Sequence, residues 1–368
     1  KNEKKISVIK KNFWKNKRVL ITGHTGFKGS WLVLMMHTLG AKIIGYAIDP
    51  ISKPNFFDDL KLSRFLIKDY RKNINDISSL KKVIKINKPE IIFHMAAQSS
   101  VLVSYSEPID TIKTNVVGTA NILEAMKYSK SVKVGIIVTT DKVYLNLEQK
   151  KKFLEKDHLG GHDVYSGSKA ASEIIFQSYQ KSFFQSDSCK ISTARSGNCI
   201  GGGDWTKDRI MKDCAEKLIF NKKLVIRSPN ASRPWQHVLE PLAGYVKLAE
   251  KMYSRNGYSG SWNFGPNLKD NMKVLKLVNY CKKILFSKSK IQIEKKKYYE
   301  SNHLSLNSEK SLKKLNWKTI LRAKEAIKMT LDWYSFYFKN RKQNKDKIIK
   351  FSIDQIKQYN KIILKRKF

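Results

Sequence analysis

The chain has 368 residues, 41% of them hydrophobic, which suits one large α/β domain or two coupled ones with a sizeable core. No run approaches ~20 uninterrupted apolar residues, so no membrane span is expected, and the basic start Lys1–Lys11 lacks the apolar stretch and cleavage site of a secretory leader. A net charge of +41 raises nucleic acid, an anionic membrane surface or acidic ligands as partners.

The excess charge is overwhelmingly lysine and is spread along the whole chain, while arginine is scarce. Because arginine is the usual reader of bases and phosphates, this pattern favours compositional drift over a nucleic-acid surface. It is compatible with a doubly charged nucleotide ligand. The cysteines, Cys189, Cys199, Cys214 and Cys281, are scattered and have no clustered histidine, so neither a disulfide framework nor a metal site is expected.

Lys1–Asn16 is a polar lead-in whose Phe13-Trp14 pair is placed against the first strand. Arg18–Thr22 is a short apolar run that reads as a buried strand. Gly23, Gly26 and Gly29 follow at every third position, and Trp31–Leu39 reads as a helix stopped by Gly40. A strand that turns into a helix over glycines brings backbone N–H groups and a helix N-terminus up to a pyrophosphate with no side chain in the way. Ala41–Ile48 is a second strand. Asp49, about 26 residues after Gly23, lies where a dinucleotide fold puts a carboxylate on the adenosine ribose. A carboxylate there repels a 2′-phosphate and favours NAD over NADP; the alternative is an acid capping the turn before Pro50.

A third strand is placed either at Phe65-Leu66-Ile67 or, as the better match to the fold, at the polar Asn73-Ile74-Asn75-Asp76. Ile77–Asn87 reads as a helix, and Pro89–Gln98 as a buried strand running into the small residues Ala96 and Ala97. Pro108–Ser129 reads as a helix and Val132–Val138 as an apolar strand. The alternation predicts a doubly wound parallel sheet of the Rossmann type, with helices on both faces.

The last of these strands ends in Thr139-Thr140-Asp141-Lys142, polar residues where a sheet faces its ligand crevice. About 25 residues on, Tyr165 and Lys169 form a Y-x-x-x-K on a predicted helix, with both side chains on one face. A nearby cation lowers a phenol's pKa, so Tyr165 is a candidate general base for a sugar hydroxyl, with Thr140 in the same network. An ordinary surface Tyr–Lys pair is the alternative.

G-x-x-G-x-x-G, T-N-V-x-G-T, T-T-D-K and Y-x-x-x-K in this order resemble the extended short-chain dehydrogenase/reductase superfamily. GHTGFKGSWL, KPEIIFHMAAQ, TNVVGTANILEAMK, ARSGNCIGGGDWTKDRI, RPWQHVLEPLAGY and GSWNFGP resemble, more narrowly, its CDP-glucose 4,6-dehydratase branch, from about Phe13 to Phe338. The resemblance implies an NAD-dependent, redox-neutral dehydration of a nucleotide sugar that feeds deoxysugar synthesis for surface polysaccharide. It implies that Tyr165 and Lys169 serve C4 oxidation, Asp141 is the acid at the C6 hydroxyl and Lys142 occupies the base position for C5–H. Cofactor contacts are expected from Gly23, Thr25, Gly26, Phe27, Lys28, Gly29, Asp49, Asn73, Ile74, Ala96, Ala97, Gln98, Asn115, Tyr165 and Lys169. Substrate contacts are expected from Asn198, Trp205, Arg209, Arg233 and Asn263, and Glu300–Asn307 resembles the closing substrate-lobe segment.

Three departures from the family pattern stand out. Asn73-Ile74-Asn75-Asp76 replaces the usual D-I-R-D, with the Asn73 side-chain oxygen left to meet the adenine amino group. Ser99–Leu102 lacks an arginine, and Val164 stands where a proline usually precedes the tyrosine. The domain reading is a nucleotide-binding part over 12–200 that regains a strand and helix within 225–253, a smaller substrate lobe from 201–224 and 254–338, and a Lys-rich tail over 339–368. The tail carries Ile348, Ile349, Phe351, Ile353 and Ile356, which suggests an amphipathic helix on the body; a membrane-surface or nucleic-acid arm is the alternative. A homodimer through the helices bearing Asn115 and Tyr165, in the cytoplasm, follows from the resemblance. A different sugar-nucleotide dehydratase or 4-epimerase is the nearer rival. A non-catalytic nucleic-acid-binding protein is the rival from another class.

Overall fold

Seven short runs pair into one sheet: β1 Arg18–Thr22, β2 Lys42–Ala47, β3 Leu66–Arg71, β4 Ile91–His94, β5 Val134–Val138, β6 Lys190–Ser196 and β7 Gly260–Phe264. They belong to a computed structural model that describes residues 9–148, 151–186, 188–294 and 304–366. The basic start through Val8 and the stretch Glu300–His303 lie outside the described residues. Across the sheet the order is β7-β6-β5-β4-β1-β2-β3, and every pairing is parallel. The chain winds from β1 out to β3 and then crosses to β4 on the other side. The crevice at the carboxyl ends of β1 and β4 is therefore a topological switch point, where this class of sheet binds ligands.

Alternate residues of each strand enter different cores. Val19, Ile21, Phe93 and Ile136 pack with the helices Phe27–Thr38, Leu239–Ser254 and Ala323–Asn340. Leu20, Ile92 and Ile137 pack with Ile77–Asn87, Gly118–Lys127 and Val164–Phe183. Helices thus cover both faces, the doubly wound arrangement expected. Trp14 is fully buried, tilted on Phe93 of β4, and its Nε1 donates to Glu250 at 2.6 Å.

Several elements depart from the sequence reading. The third strand is Leu66–Arg71, an edge strand with a polar composition that hides it from an apolar pattern. The Asn73–Asp76 stretch is instead a turn, and Asp76 caps the next helix by accepting from Ser79 N at 2.9 Å. The helix expected over Pro108–Ser129 contains a wide turn at Lys113–Val117, and an unforeseen short helix, Val101–Ser106, precedes it.

The seventh sheet strand does not come from 225–253. Leu224–Ile226 pairs with Ile291–Ile293 in a ladder of its own, while Gly260–Phe264 joins β6. Short apolar runs carry no label of their partner; the helix Leu239–Ser254, buried along most of its length, decides which run is delivered to the sheet. The tail forms the helix Lys345–Lys365, with Ile348, Ile349 and Ile356 buried and Tyr359 donating to Glu240 at 2.8 Å. No described helix is long and apolar enough to cross a membrane.

Candidate active site

The glycine turn sits at the switch point. Gly23 has φ +70°, and a Cβ there would lie 2.6 Å from the backbone nitrogen of Ala96, so the β1 and β4 loops meet at a distance only glycine permits. Its N–H donates to Tyr46 O at 2.9 Å, and Thr25 Oγ1 donates to Ile48 O at 3.0 Å, fixing the turn against β2. His24 points inward, with Nε2 2.8 Å from Asp69 Oδ1. The helix Phe27–Thr38 starts directly after Gly26 and presents its N-terminus to the opening.

One cavity of about 820 Å³ runs along these strand ends. It is lined by Gly23, Thr25, Gly26, Phe27, Lys28, Gly29, Asp49, Asn73, Ile74, Ala96 and Ala97 on one side. Thr140, Lys142, Tyr165, Lys169, Asn198, Trp205, Arg209 and Arg233 line it on the other. Residues as far apart in the chain as Gly23 and Arg233 therefore share one space.

Four expected site residues do not line it. Gln98 is folded back: Nε2 donates to Ser100 O at 3.0 Å and Thr111 Oγ1 at 2.8 Å, and Oε1 accepts from Ser100 N. Asn115 is buried and fastens that loop, accepting from Gln98 N at 2.9 Å and donating to Gln98 O and Ser168 Oγ. Both hold the cavity wall rather than form it. Asn263 is fully buried in β7. Its oxygen accepts from Tyr144 OH at 2.7 Å, and its amide donates to Phe153 O at 2.9 Å and Asn307 O at 3.1 Å. Fully buried, with both amide donors and the oxygen already engaged by protein groups, it is withdrawn from the cavity. Asp141 is buried beside the cavity, next to Gly197, and accepts from Thr140 Oγ1 at 3.0 Å.

Among the lining residues, Asn73 spends its side-chain oxygen on Asn75 N at 2.9 Å, so that oxygen is already committed within the turn. Trp205 is buried against Trp333, Tyr334 and Tyr337, and Trp235 Nε1 donates to Met272 O at 2.9 Å, so both indoles hold the loops together. Asp49 is paired with Arg71 Nη1 at 2.9 Å, a partner not foreseen. Arg71 also meets Asp69 at 3.0 Å and Asp58 at 3.5 Å. The signal was a lone arginine ending a strand that had been misplaced.

At the reacting end, Thr140 bridges two groups: its hydroxyl donates to Asp141 and lies within hydrogen-bonding reach of the Tyr165 phenol. Tyr165 and Lys169 are both buried on one face of the helix Val164–Phe183, which Asp163 caps by accepting from Ser166 N at 2.8 Å. Lys169 Nζ donates to Val138 O at 3.1 Å.

Burial pushes the Tyr165 pKa up, opposed by the Thr140 hydrogen bond and by the charges of Arg209 and Lys28. The sequence reading expected Lys169 to lower it; the cations that oppose the rise come instead from the glycine turn and a distant loop. Burial pushes Lys169 itself down to about 8. Burial also holds Asp141 above the usual carboxylate value, against the pull of Lys142, Thr140, Arg233 and Lys28. A carboxyl that keeps its proton more readily is suited to donating one.

Two further contacts escaped the sequence. Lys28 Nζ reaches Ser196 Oγ at 2.9 Å, where Tyr245 OH also donates at 2.8 Å. Arg209 Nη2 donates to Ser99 O at 3.3 Å, placing a guanidinium beside the loop that lacks its own arginine. Neither has a local sequence signal, because the partners are more than a hundred residues apart.

Comparison with known proteins agrees with this geometry. The family model described as GDP-mannose 4,6 dehydratase matches residues 20–330. The chain belongs to this family. It is 37% identical over 339 residues to the CDP-glucose 4,6-dehydratase of Salmonella typhimurium, covering 90% of this chain and 94% of that one. Among solved structures of the fold, the dTDP-glucose 4,6-dehydratase of Bacillus anthracis, in complex with NAD, superposes with TM-score 0.75 at 23% identity, covering 89% of this chain and 98% of that one. The UDP-glucose 4-epimerase of Thermotoga maritima, with UDP-glucose, gives TM-score 0.76 at 21% identity, covering 87% and 99%. Proteins whose names carry both chemistries, dehydratase and epimerase, therefore share this fold.

Proposed function

We propose that the chain is an NAD-dependent hydro-lyase that converts CDP-glucose to CDP-4-keto-6-deoxyglucose and water. The observation that carries this reading is the meeting of the Thr140-Asp141-Lys142 strand end with Tyr165 and Lys169 at one cavity. Oxidation at C4 needs only the tyrosine and its lysine; an acid and an amine beside them are what a 1,2-elimination requires.

The cradle fits a dinucleotide. The glycine turn presses on Ala96 where a Cβ would clash, the helix N-terminus at Phe27 faces the opening, and Ile74 and Ala97 leave a flat apolar wall. A bound NAD would supply the hydride acceptor for oxidation at C4 and the hydride donor for reduction at C6, which would make the reaction redox-neutral. Gly23 to Gly29 would hold its pyrophosphate and Asp49 its adenosine ribose, with Lys169 at the nicotinamide ribose.

The chain's own groups handle the protons. Tyr165, in the phenolate form that the Thr140 hydroxyl, Arg209 and Lys28 favour against burial, takes the C4 hydroxyl proton. The resulting ketone acidifies C5–H, and Lys142 removes that proton and returns it to C5 once C6 has received the hydride. Asp141, buried and slow to ionise, gives a proton to the departing C6 hydroxyl, so one water leaves. Arg209, Arg233 and Asn198 are assigned to the diphosphate, where guanidinium groups bind phosphate bidentately. Trp205 shapes their loop.

The nucleotide-binding part is assigned 12–200 together with the helix Leu239–Ser254 and β7, and the substrate lobe the rest of 201–338. A homodimer is assigned to the helices bearing Asn115 and Tyr165, supported by the exposed Ile109, Val117, Ile174 and Phe183. A cytoplasmic setting is supported by the free thiols Cys189, Cys199, Cys214 and Cys281.

The test is a product mass spectrum from purified protein incubated with CDP-, dTDP-, UDP- and GDP-hexoses. The expected result is loss of one water from CDP-glucose with no net NADH. Finding only a C4 epimer rejects dehydration, and turnover of another nucleotide sugar in its place rejects the base assignment.

A further inference from the structure

Tyr165, Lys169 and Glu173 follow one another at four-residue steps and share one face of the helix Val164–Phe183. Tyr165 and Lys169 line the cavity, whereas Glu173, one turn deeper, is fully buried with Arg195 of β6. Glu173 accepts five hydrogen bonds. Oε1 takes Thr139 Oγ1 at 2.5 Å and Arg195 Nε at 2.9 Å. Oε2 takes Thr193 Oγ1 at 2.8 Å, Arg195 Nη2 at 2.8 Å and Ser261 Oγ at 3.3 Å. The remaining Arg195 donors reach Tyr144 OH at 2.7 Å, Glu155 O at 3.1 Å and Ser261 Oγ at 3.0 Å.

Stability alone does not account for this arrangement, because a buried ion pair is often no more stabilising than an apolar pair of the same volume. Its connections are more telling. Thr139 directly precedes Thr140-Asp141-Lys142, Thr193 and Arg195 lead to the Ser196–Asn198 corner, and Ser261 belongs to β7. One carboxylate is bonded to the residue that follows β5, to the middle and end of β6 and to the start of β7, and stands on the helix that carries the general base.

We infer that the Glu173–Arg195 pair is a positioning clamp that registers the Tyr165–Lys169 helix against the ends of β5, β6 and β7, setting the phenol and the ammonium opposite Asp141 and Lys142. The inference rests on the roles proposed above for Tyr165 and Lys169.

The clamp also acts on Lys169 electrostatically. The groups facing that ammonium are Tyr165 and Glu173 on its own helix, Lys28 from the glycine-turn helix, His94 from β4 and the Val138 carbonyl. Burial and Lys28 press its pKa down, and the Glu173 carboxylate opposes them, leaving it at about 8. His94 is neutral, pushed down to about 3 by burial and by Lys169. Facing Glu173 are Arg195 and Tyr144. Removing the Glu173 charge therefore shifts Lys169 further toward its neutral form.

The experiment is a kcat-against-pH profile with CDP-glucose for the holoenzyme, Glu173→Gln, the charge-balanced double variant Glu173→Gln/Arg195→Gln, Thr139→Val and Glu173→Asp. The wild-type alkaline limb is expected near pH 8. In Glu173→Gln and the double variant it moves about one unit or more toward acid, and kcat falls roughly tenfold to a hundredfold, with KM and bound NAD little changed. Glu173→Asp keeps the limb in place but loses rate, and Thr139→Val loses one contact and shows a smaller rate loss. A rate loss equal at every pH in Glu173→Gln and the double variant, or wild-type behaviour in Thr139→Val and the double variant, overturns the clamp. Tyr165→Phe and Lys169→Ala are measured alongside. If they retain turnover, the site assignment itself is wrong; if they lose it while the clamp variants do not, only the clamp falls.

Discussion

The two walls of the cavity are built by different means. Around Gly23, Thr25, Gly26 and Gly29 and across to Ala96 and Ala97, the surface is backbone and small side chains, held by hydrogen bonds of the turn itself, with Phe27 and Lys28 as the large exceptions. On the other wall, Thr140 and Lys142 and then Asn198, Arg209 and Arg233 bring charged and polar side chains from separate loops. The first wall suits a ligand that must stay, since a rigid backbone cradle costs little to organise. The second can turn the same bound cofactor to oxidation, elimination or epimerisation by exchanging a few side chains.

Substitutions can break this contrast, and the largest effect falls at the reacting end. Tyr165→Phe is expected to lower kcat by roughly 10³-fold or more, because the C4 proton has lost its acceptor, while the protein stays folded and keeps its NAD. Stopped-flow absorbance at the NADH band checks it, and wild-type turnover would remove Tyr165 from its role.

On the backbone wall, Gly23→Ala puts a Cβ 2.6 Å from Ala96 N at a residue with φ +70°. A cost of about 2–4 kcal/mol is expected, seen as a lower melting temperature together with loss of copurified NAD. If the wall were as tolerant as a side-chain surface, the variant would melt like wild type.

On the charged wall, Arg209→Ala removes a guanidinium beside Ser99 and Tyr165. It is expected to raise KM for the sugar nucleotide by about tenfold to a hundredfold without changing the melting temperature. An unchanged KM would detach that loop from the substrate.

At the seam, Asp49→Ser frees the Arg71 guanidinium from one of the carboxylates that now engage it. A preference shift toward NADP of about tenfold is expected, one charge-assisted hydrogen bond, read by cofactor titration. The smallest effect on function is Asn263→Ala, which leaves buried groups unpaired. A loss of about 1–3 kcal/mol of stability is expected, with kcat and KM near wild type. A large KM effect would return Asn263 to the substrate.

The sequence was most legible where chemistry is local. The glycine spacing, the Y-x-x-x-K step and the polar end of β5 are contained within one turn or one strand end, and their residues, Asp141 apart, line the cavity. Gln98, Asn115 and Asn263 looked equally functional because asparagine and glutamine are useful both to ligands and to buried backbone. Only the list of partners separates the two uses. Of the two placements for the third strand, Phe65-Leu66-Ile67 overlaps Leu66–Arg71 while the favoured Asn73–Asp76 is a turn, because an edge strand tolerates polar residues and is hard to tell from one.

By itself, then, the order of residues determined the parallel winding, the pyrophosphate turn and the pairing of phenol with ammonium, since each follows from spacing along the backbone. The tertiary structure alone decided that Gly260–Phe264 completes the sheet, that Arg71 answers Asp49, and that Lys28 and Arg209 supply the charge felt by Tyr165. It also decided that Glu173 and Arg195 are bonded behind Lys169. Those contacts join positions tens to hundreds of residues apart, and electrostatic and packing energies depend on distance in space, which a linear pattern does not carry.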